Sequence, residues 1–192
     1  MNTVRELLLP SAKKFPNNIA VVEDDRKISY EELYSMVEVF SSHLQLCGIN
    51  KGDAVVILLP NSIEFVVAFL AIANIGAISV PVNTAYKKEE VTYYVDHSSA
   101  KLILTEEKLK TLAQEIVSNT DKSVGVVKGS SSEWDKQSKD INSLDRISVD
   151  SQDEVIYLYS TGSTGKPKRV SRTHQNLVAL ADNHTQTVGW TE

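Results

Sequence analysis

The sequence predicts an α/β fold, in which a mostly parallel sheet carries helices on both faces. Three observations favour it. Short apolar runs typical of strands alternate along the chain with longer segments of helical spacing. The runs at 54–59 and 77–82 are almost continuously apolar, as in strands that are covered on both sides. Capping signals fall where the helical segments begin.

Three elements are predicted before residue 50: a short helix with an apolar face, a strand hairpin and an amphipathic helix. They occupy residues 4–16, 19–29 and 29–48. Ser29 and Glu32 have the spacing of a capping box, and Gly48 stands where a helix commonly ends.

The rest of the chain continues the alternation of strands and helices. The predicted strands are 54–59, 77–82, 102–104, 124–127 and 154–159, and the predicted helices are 61–74, 87–97, one from 105 onward, and 176–188. Asn61, three residues before Glu64, and Thr105 are the expected caps of two of these helices. Serines and charges without periodicity follow, so residues 129–153 are interpreted as an exposed connecting loop.

Composition excludes several classes of function. The chain has 192 residues, 42% of them hydrophobic, enough for one sizeable core. Its net charge of -5, without a basic tract, argues against binding to nucleic acid or an anionic membrane. Cys47 has no partner for an internal disulfide and is expected to pack in the core. Without a secretory signal or a bilayer-length apolar run, the expected location is the cytosol.

The most informative stretch is residues 159–168, Tyr-Ser-Thr-Gly-Ser-Thr-Gly-Lys-Pro-Lys, directly after a predicted strand. Glycines allow tight turns and close backbone approach, hydroxyls donate hydrogen bonds, and lysines add positive charge. Together these groups suit a polyphosphate. This stretch is not a Walker A loop, because only two residues separate Gly162 from Gly165 and Pro167 disfavours a helix at Lys166.

The T-G-S-T-G-K-P-K spacing of residues 161–168 resembles the phosphate loop of the adenylate-forming superfamily, which includes acyl-CoA synthetases and peptide-synthetase adenylation domains. Residues 28–33 and 70–83 resemble two further stretches of that family. Their order and spacing strengthen the resemblance, which covers most of residues 28–177. It implies that the chain is the N-terminal part of the large domain of such an enzyme, with residues 1–192 forming an incomplete ATP-phosphate-binding domain.

The resemblance implies a reaction in two steps. A carboxylic acid attacks MgATP to give an acyl-adenylate and pyrophosphate, and a thiol, coenzyme A or carrier-protein phosphopantetheine, then displaces AMP. Lys168 is the expected catalytic residue, and Mg²⁺ is expected on ATP oxygens with no cluster of protein ligands. The residues expected to bind the β- and γ-phosphates are Ser160, Thr161, Gly162, Ser163, Thr164, Gly165 and Lys168.

Two neighbouring residues need separate interpretation. Arg169 stands where the family usually has glycine. An arginine can contact phosphate or carboxylate there, but we expect its side chain to point to solvent because Lys168 already supplies charge. His174 is interpreted as structural, since a substrate carboxylate is already ionised near neutral pH and needs no base. Tyr157 and Tyr159 are interpreted as core or strand-face residues.

The resemblance also leaves alternatives open. In the family, the adenine pocket, the ribose-binding aspartate and a second lysine lie downstream of the phosphate loop. We therefore expect residues 1–192 alone to be inactive, with the remainder of the protein or a second copy docking on the surface they leave exposed. The leading hypothesis is an acyl-CoA synthetase type of acid–thiol ligase. An amino-acid adenylation domain, a fatty acyl-AMP ligase and a non-catalytic nucleotide-binding module remain alternatives.

Overall fold

The structure is a computed structural model that describes residues 2–127, 147–160 and 167–189. Strands and helices alternate along these ranges, as the sequence predicts. The helices are α1 Arg5–Lys14, α2 Tyr30–Leu46, α3 Ile63–Asn74, α4 Lys88–His97, α5 Lys110–Val117 and α6 His174–Val188. The strands are β1 Ile19–Glu23, β2 Arg26–Ser29, β3 Ala54–Leu58, β4 Ile78–Pro81, β5 Leu102–Thr105, β6 Ser123–Val126, β7 Glu154–Ser160 and β8 Lys168–Thr173.

Six of the strands form the central sheet, in the order β6-β5-β3-β4-β7-β8. Its first five strands run parallel, and β8 pairs antiparallel with β7 at the edge. Strands β1 and β2 form a separate antiparallel hairpin. The predicted α/β class with a mostly parallel sheet is therefore confirmed.

Helices cover both faces of the sheet, and the central strand β3 shows how the sequence achieves this. All five of its residues are buried, and successive side chains point to opposite faces. Val55 and Ile57 pack with α1, α2 and α3, whereas Val56 and Leu58 pack with α4 and α5. The continuous apolar run thus supplies two cores at once.

One predicted helix cap is confirmed, and a second is formed by the residue after the predicted one. The Glu32 N–H donates to Ser29 Oγ at 3.2 Å, and the Ser29 N–H donates to Glu32 Oε2 at 2.7 Å, which completes the capping box. Asn61 was the wrong residue for the cap of α3. Ser62 takes that position, and its Oγ accepts a hydrogen bond from the Phe65 N–H at 3.2 Å.

Two further expectations are wrong. Thr105 does not cap a helix: it is the last residue of β5, its Oγ1 donates to the Leu58 carbonyl at 3.2 Å, and a 3-10 turn precedes α5. Cys47 is exposed rather than packed in the core. Helix α2 ends there, and Ile49, two residues later, enters the core instead.

The last residues of the predicted connecting loop 129–153 bind to side chains from the rest of the domain. Arg5 Nη1 donates to the Ile147 carbonyl, and Lys51 Nζ donates to the Ser148 carbonyl, both at 3.0 Å. Lys51 also pairs with Asp153 at 2.6 Å. Residues 147–153 are therefore anchored on their way into β7.

Candidate functional site

The predicted phosphate loop joins the last two strands of the sheet. Strand β7 ends at Ser160, strand β8 begins at Lys168, and these two residues lie directly opposite each other in the antiparallel pair. Because β7 runs parallel to β4, Ser160 lies at the edge of the sheet formed by the carboxyl ends of the parallel strands. Open α/β sheets bind ligands at this edge. Thr161, Gly162, Ser163, Thr164 and Gly165 lie outside the described residues.

Ser160 and Lys168 present their side chains on the same face of the sheet. Residues directly opposite in an antiparallel pair share a face, and both side chains are exposed. Leu158 and Val170 are the next pair on that face. A hydroxyl donor and an ammonium group are thus placed side by side, where an anion can reach both.

Arg169 points the other way. It lies opposite Tyr159, and its guanidinium carbon stands 4.3 Å from the centre of the Tyr157 ring. The Tyr157 hydroxyl donates to Glu154 Oε2 at 2.8 Å, and burial raises the pKa of Tyr157 to about 12. Arg169 is exposed, as expected, but it stacks on an aromatic ring rather than extending freely into solvent.

An aromatic cluster that the sequence did not predict lies behind the hairpin. Tyr94 of α4 meets the Tyr159 ring edge-on, with centroids 4.7 Å apart, and stacks on Tyr86 at 5.5 Å. The Tyr93 hydroxyl donates to the Pro167 carbonyl at 2.9 Å, and His97 Nδ1 lies 3.1 Å from Tyr159 Oη. Tyr93 and His97 are four residues apart on one helix face, which was the available sequence signal.

His174 lies in the interior, in keeping with its structural interpretation. Its side chain is 0% exposed, and its Nδ1 accepts a hydrogen bond from the Val4 N–H at 3.2 Å. Burial lowers the pKa of His174, although the nearby Asp153 opposes that shift. The imidazole therefore ties the start of α6 to the N-terminal segment.

The fold and this hairpin define the chain as an α/β protein whose candidate ligand site lies at the carboxyl edge of its sheet. The family model described as AMP-binding enzyme matches residues 9–192. The chain belongs to that family, and the resemblance to adenylate-forming enzymes is confirmed.

Similar proteins include both thioester-forming ligases and peptide synthetases. Oxalate–CoA ligase of Arabidopsis thaliana is 32% identical over 197 residues, a match that covers 95% of this chain and 37% of the relative. Gramicidin S synthase 2 of Brevibacillus brevis is 31% identical over 181 residues, covering 93% of this chain and 4% of the relative. The structure of VinN with L-aspartate superposes with a TM-score of 0.84 at 26% identity, covering 98% of this chain and 48% of VinN.

This chain thus spans less than half the length of each of these proteins. Along the described ranges, no helix has both the length and the apolar character needed to cross a membrane.

Proposed function

We propose that the protein containing this chain joins a carboxylic acid to a thiol in two steps, with the acyl-CoA synthetase type of reaction as the leading case. Its family supports activation of an acid through an adenylate in general. The observation that favours a role for this chain in that reaction is the side-by-side placement of Ser160 and Lys168 beside the donor-rich stretch 161–166.

In the first step, a carboxylate oxygen attacks the α-phosphorus of ATP. The bond from this phosphorus to the β-phosphate bridging oxygen breaks, and pyrophosphate leaves with the electron pair. Negative charge grows on the pyrophosphate as it departs, so fixed donors and cations beside it lower the barrier. In the second step, the thiol loses its proton to solvent and its sulfur attacks the acyl carbon. The bond from that carbon to the AMP oxygen breaks, and AMP leaves with the electron pair.

We assign Lys168 and Ser160 to the β- and γ-phosphates. The Lys168 ammonium supplies positive charge, the Ser160 hydroxyl donates a hydrogen bond, and the exposure of both side chains leaves them accessible to ATP. The assignment of Thr161, Gly162, Ser163, Thr164 and Gly165 to the same phosphates remains a proposal from the sequence. Mg²⁺ would be bound mainly by phosphate oxygens, because it keeps much of its water shell.

The thiol acceptor distinguishes two versions of this proposal. Similarity to oxalate–CoA ligase favours coenzyme A, whereas similarity to gramicidin S synthase 2 favours an amino-acid adenylation domain that loads a carrier protein. The identities of 31% and 32% do not separate these two versions, and coenzyme A is ranked first as the leading hypothesis of the sequence analysis. A fatty acyl-AMP ligase is a third version, which would release acyl-adenylate without coenzyme A.

The test compares Lys168→Ala with wild type in the whole protein. Loss of one charge-assisted contact should cost about 1.5–3 kcal/mol of transition-state stabilisation, roughly a 10- to 150-fold decrease in acid-dependent pyrophosphate exchange. Thiolation that starts from synthetic acyl-AMP should be almost unchanged, because pyrophosphate has already left. Lys27→Ala, which removes an exposed lysine from β2, is the matched control and should leave both rates at the wild-type value.

Three results would contradict parts of the proposal. Equal losses in both half-reactions would remove the phosphate assignment of Lys168. Exchange that no carboxylic acid stimulates, together with measurable ATP binding, would favour the non-catalytic nucleotide-binding module. Robust acyl-adenylate formation without transfer to coenzyme A or to a carrier protein would exclude the acid–thiol ligase.

A further inference from the structure

We infer that α4 positions the two described ends of the candidate phosphate site, with Tyr93 and His97 as positioning residues. This inference rests on the proposed function, because it concerns how Ser160 and Lys168 are held for ATP. It concerns the backbone behind the site: the side chains of Ser160 and Lys168 occupy one face of the hairpin, and α4 packs on the other.

Tyr93 holds the end that leads into β8. Its hydroxyl donates to the carbonyl of Pro167 at 2.9 Å, one residue before Lys168. The peptide group that follows Pro167 carries the backbone N–H of Lys168, so this contact fixes the plane from which the lysine side chain departs. Proline contributes no N–H of its own, which leaves its carbonyl as the hydrogen-bonding group of that residue.

His97 holds the end that leaves β7. Its Nδ1 lies 3.1 Å from the hydroxyl of Tyr159, one residue before Ser160. The rings also meet, with centroids 5.6 Å apart and planes at 76°. The tautomer of His97 decides which of the two groups donates this hydrogen bond.

Helix α4 can act as a fixed support because its opposite face is buried. Val91 and Val95 are 0% exposed and pack against the sheet, and Tyr94 is 7% exposed between them. Tyr93 and His97 lie four residues apart on the same helix face, with rings 5.3 Å apart. One helix therefore contacts both chain ends of the site through two adjacent side chains.

The experiment uses the whole protein with three variants: Tyr93→Phe, His97→Ala and His97→Asn. Tyr30→Phe on α2 is the matched control, because it also removes a hydroxyl from a half-buried tyrosine but lies away from the hairpin. The measurements are KM for MgATP and kcat in pyrophosphate exchange, thiolation from synthetic acyl-AMP, and hydrogen exchange of the peptide that covers 167–173.

We expect Tyr93→Phe and His97→Ala each to raise KM for MgATP about 3- to 10-fold, the range for loss of one neutral hydrogen bond. Thiolation from acyl-AMP should be unchanged, and hydrogen exchange should be faster at the Lys168 end of β8 in Tyr93→Phe. His97→Asn should recover most of the affinity, since its amide can replace Nδ1 beside the Tyr159 hydroxyl. Tyr30→Phe should match wild type in every measurement.

Unchanged KM in Tyr93→Phe and His97→Ala, with Lys168→Ala impaired in exchange, would overturn the positioning role and leave the proposed function intact. Parallel losses in both half-reactions with a lowered melting temperature would also overturn it, because they indicate a purely structural role. If Lys168→Ala itself retains full exchange activity, the phosphate assignment of Lys168 fails and the positioning role fails with it, while activation of an acid stands. Absence of acid-dependent exchange in the wild-type protein would instead remove the proposed function.

Discussion

Strand β3 and the β7–β8 hairpin belong to the same sheet but have opposite environments. Residues 55–58 of β3 are all 0% exposed, with helices on both sides. At the hairpin edge, Leu158 is 44% exposed, and Leu180 on the adjoining helix α6 is 64% exposed. The centre of the sheet holds the fold together, whereas the edge presents the candidate site and apolar surface. We expect the remainder of the protein to cover that surface.

The largest effect is expected from isolating residues 1–192. The buried central strands should allow this segment to fold, but the hairpin edge alone should not catalyse adenylation. A site that contacts mainly phosphates does not align the carboxylate with the α-phosphorus, and misalignment alone can reduce a rate about 100-fold. The dissociation constant for ATP should be near or above roughly 1 mM, which corresponds to a binding free energy of about -4 kcal/mol.

Calorimetric ATP titration and pyrophosphate exchange with a panel of carboxylic acids test this expectation. Light scattering would report self-association through the exposed apolar edge. Micromolar ATP affinity with acid-dependent exchange would show that residues 1–192 suffice for the reaction, and that the edge needs no further protein.

The next largest effect is expected in a pair of leucine substitutions that compares the two regions directly. Leu58→Ala removes a 0%-exposed side chain from β3 and should lower the free energy of unfolding by about 2–5 kcal/mol. Leu158→Ala removes a 44%-exposed side chain from β7 and should cost under about 1 kcal/mol. Urea unfolding of residues 1–192 measures both values. Equal losses would mean that the edge is as tightly packed as the centre.

The difference between the centre and the edge of the sheet also explains which features could be predicted from the sequence. Strand β3 was predictable because an unbroken apolar run has few alternatives to a doubly covered strand. The Ser29–Glu32 capping box was predictable because all of its partners lie within one helical turn. Both signals are local, so neighbouring residues suffice to interpret them.

The hairpin edge depends on contacts between distant residues, and there the prediction was incomplete. Strand β8 was missed because Lys168–Thr173 contains only one apolar residue, and its ladder depends on pairing with β7. The contacts of α4 with the hairpin were missed because Tyr93 bonds a carbonyl 74 residues away. The N-cap of α3 was assigned to Asn61 instead of Ser62 for a different, local reason. Both adjacent residues have side chains that can cap a helix, and spacing alone does not show which of them does so.

An intermediate effect is expected from His174, which is buried where the hairpin edge meets the N-terminal segment. Its pKa is lower in the folded chain than in the unfolded chain, so acid protonates the unfolded state more readily. The stability that depends on neutral His174 should be complete above its ordinary pKa of about 6.5 and should decrease as pH falls through and below that value. The slope should not exceed about 1.4 kcal/mol per pH unit.

Urea unfolding of residues 1–192 between pH 5 and 8 tests this, with His174→Asn as the comparison. Asparagine can keep an acceptor near the Val4 N–H but does not titrate, so the difference between the two proteins isolates the imidazole from Asp153 and the other carboxylates. Parallel pH profiles would show that His174 titrates equally in both states.

The smallest effect is expected from Arg169, the residue that departs from the usual family pattern. Its guanidinium stacks on Tyr157, on the opposite face of the hairpin from Lys168. Arg169→Ala should therefore lower the free energy of unfolding by only about 0.5–1 kcal/mol, the contribution of an exposed cation–π contact. In the whole protein it should leave KM for MgATP close to the wild-type value.

Arg169→Lys is the informative companion, because a lysine keeps the charge but loses the planar stacking of the guanidinium. If the ring contact is what matters, Arg169→Lys should recover part of the stability lost in Arg169→Ala, while neither variant alters pyrophosphate exchange. If Arg169→Ala instead reduces exchange as strongly as Lys168→Ala, the arginine side chain must reach the phosphates from the other face. Both faces of the hairpin would then contribute to phosphate binding.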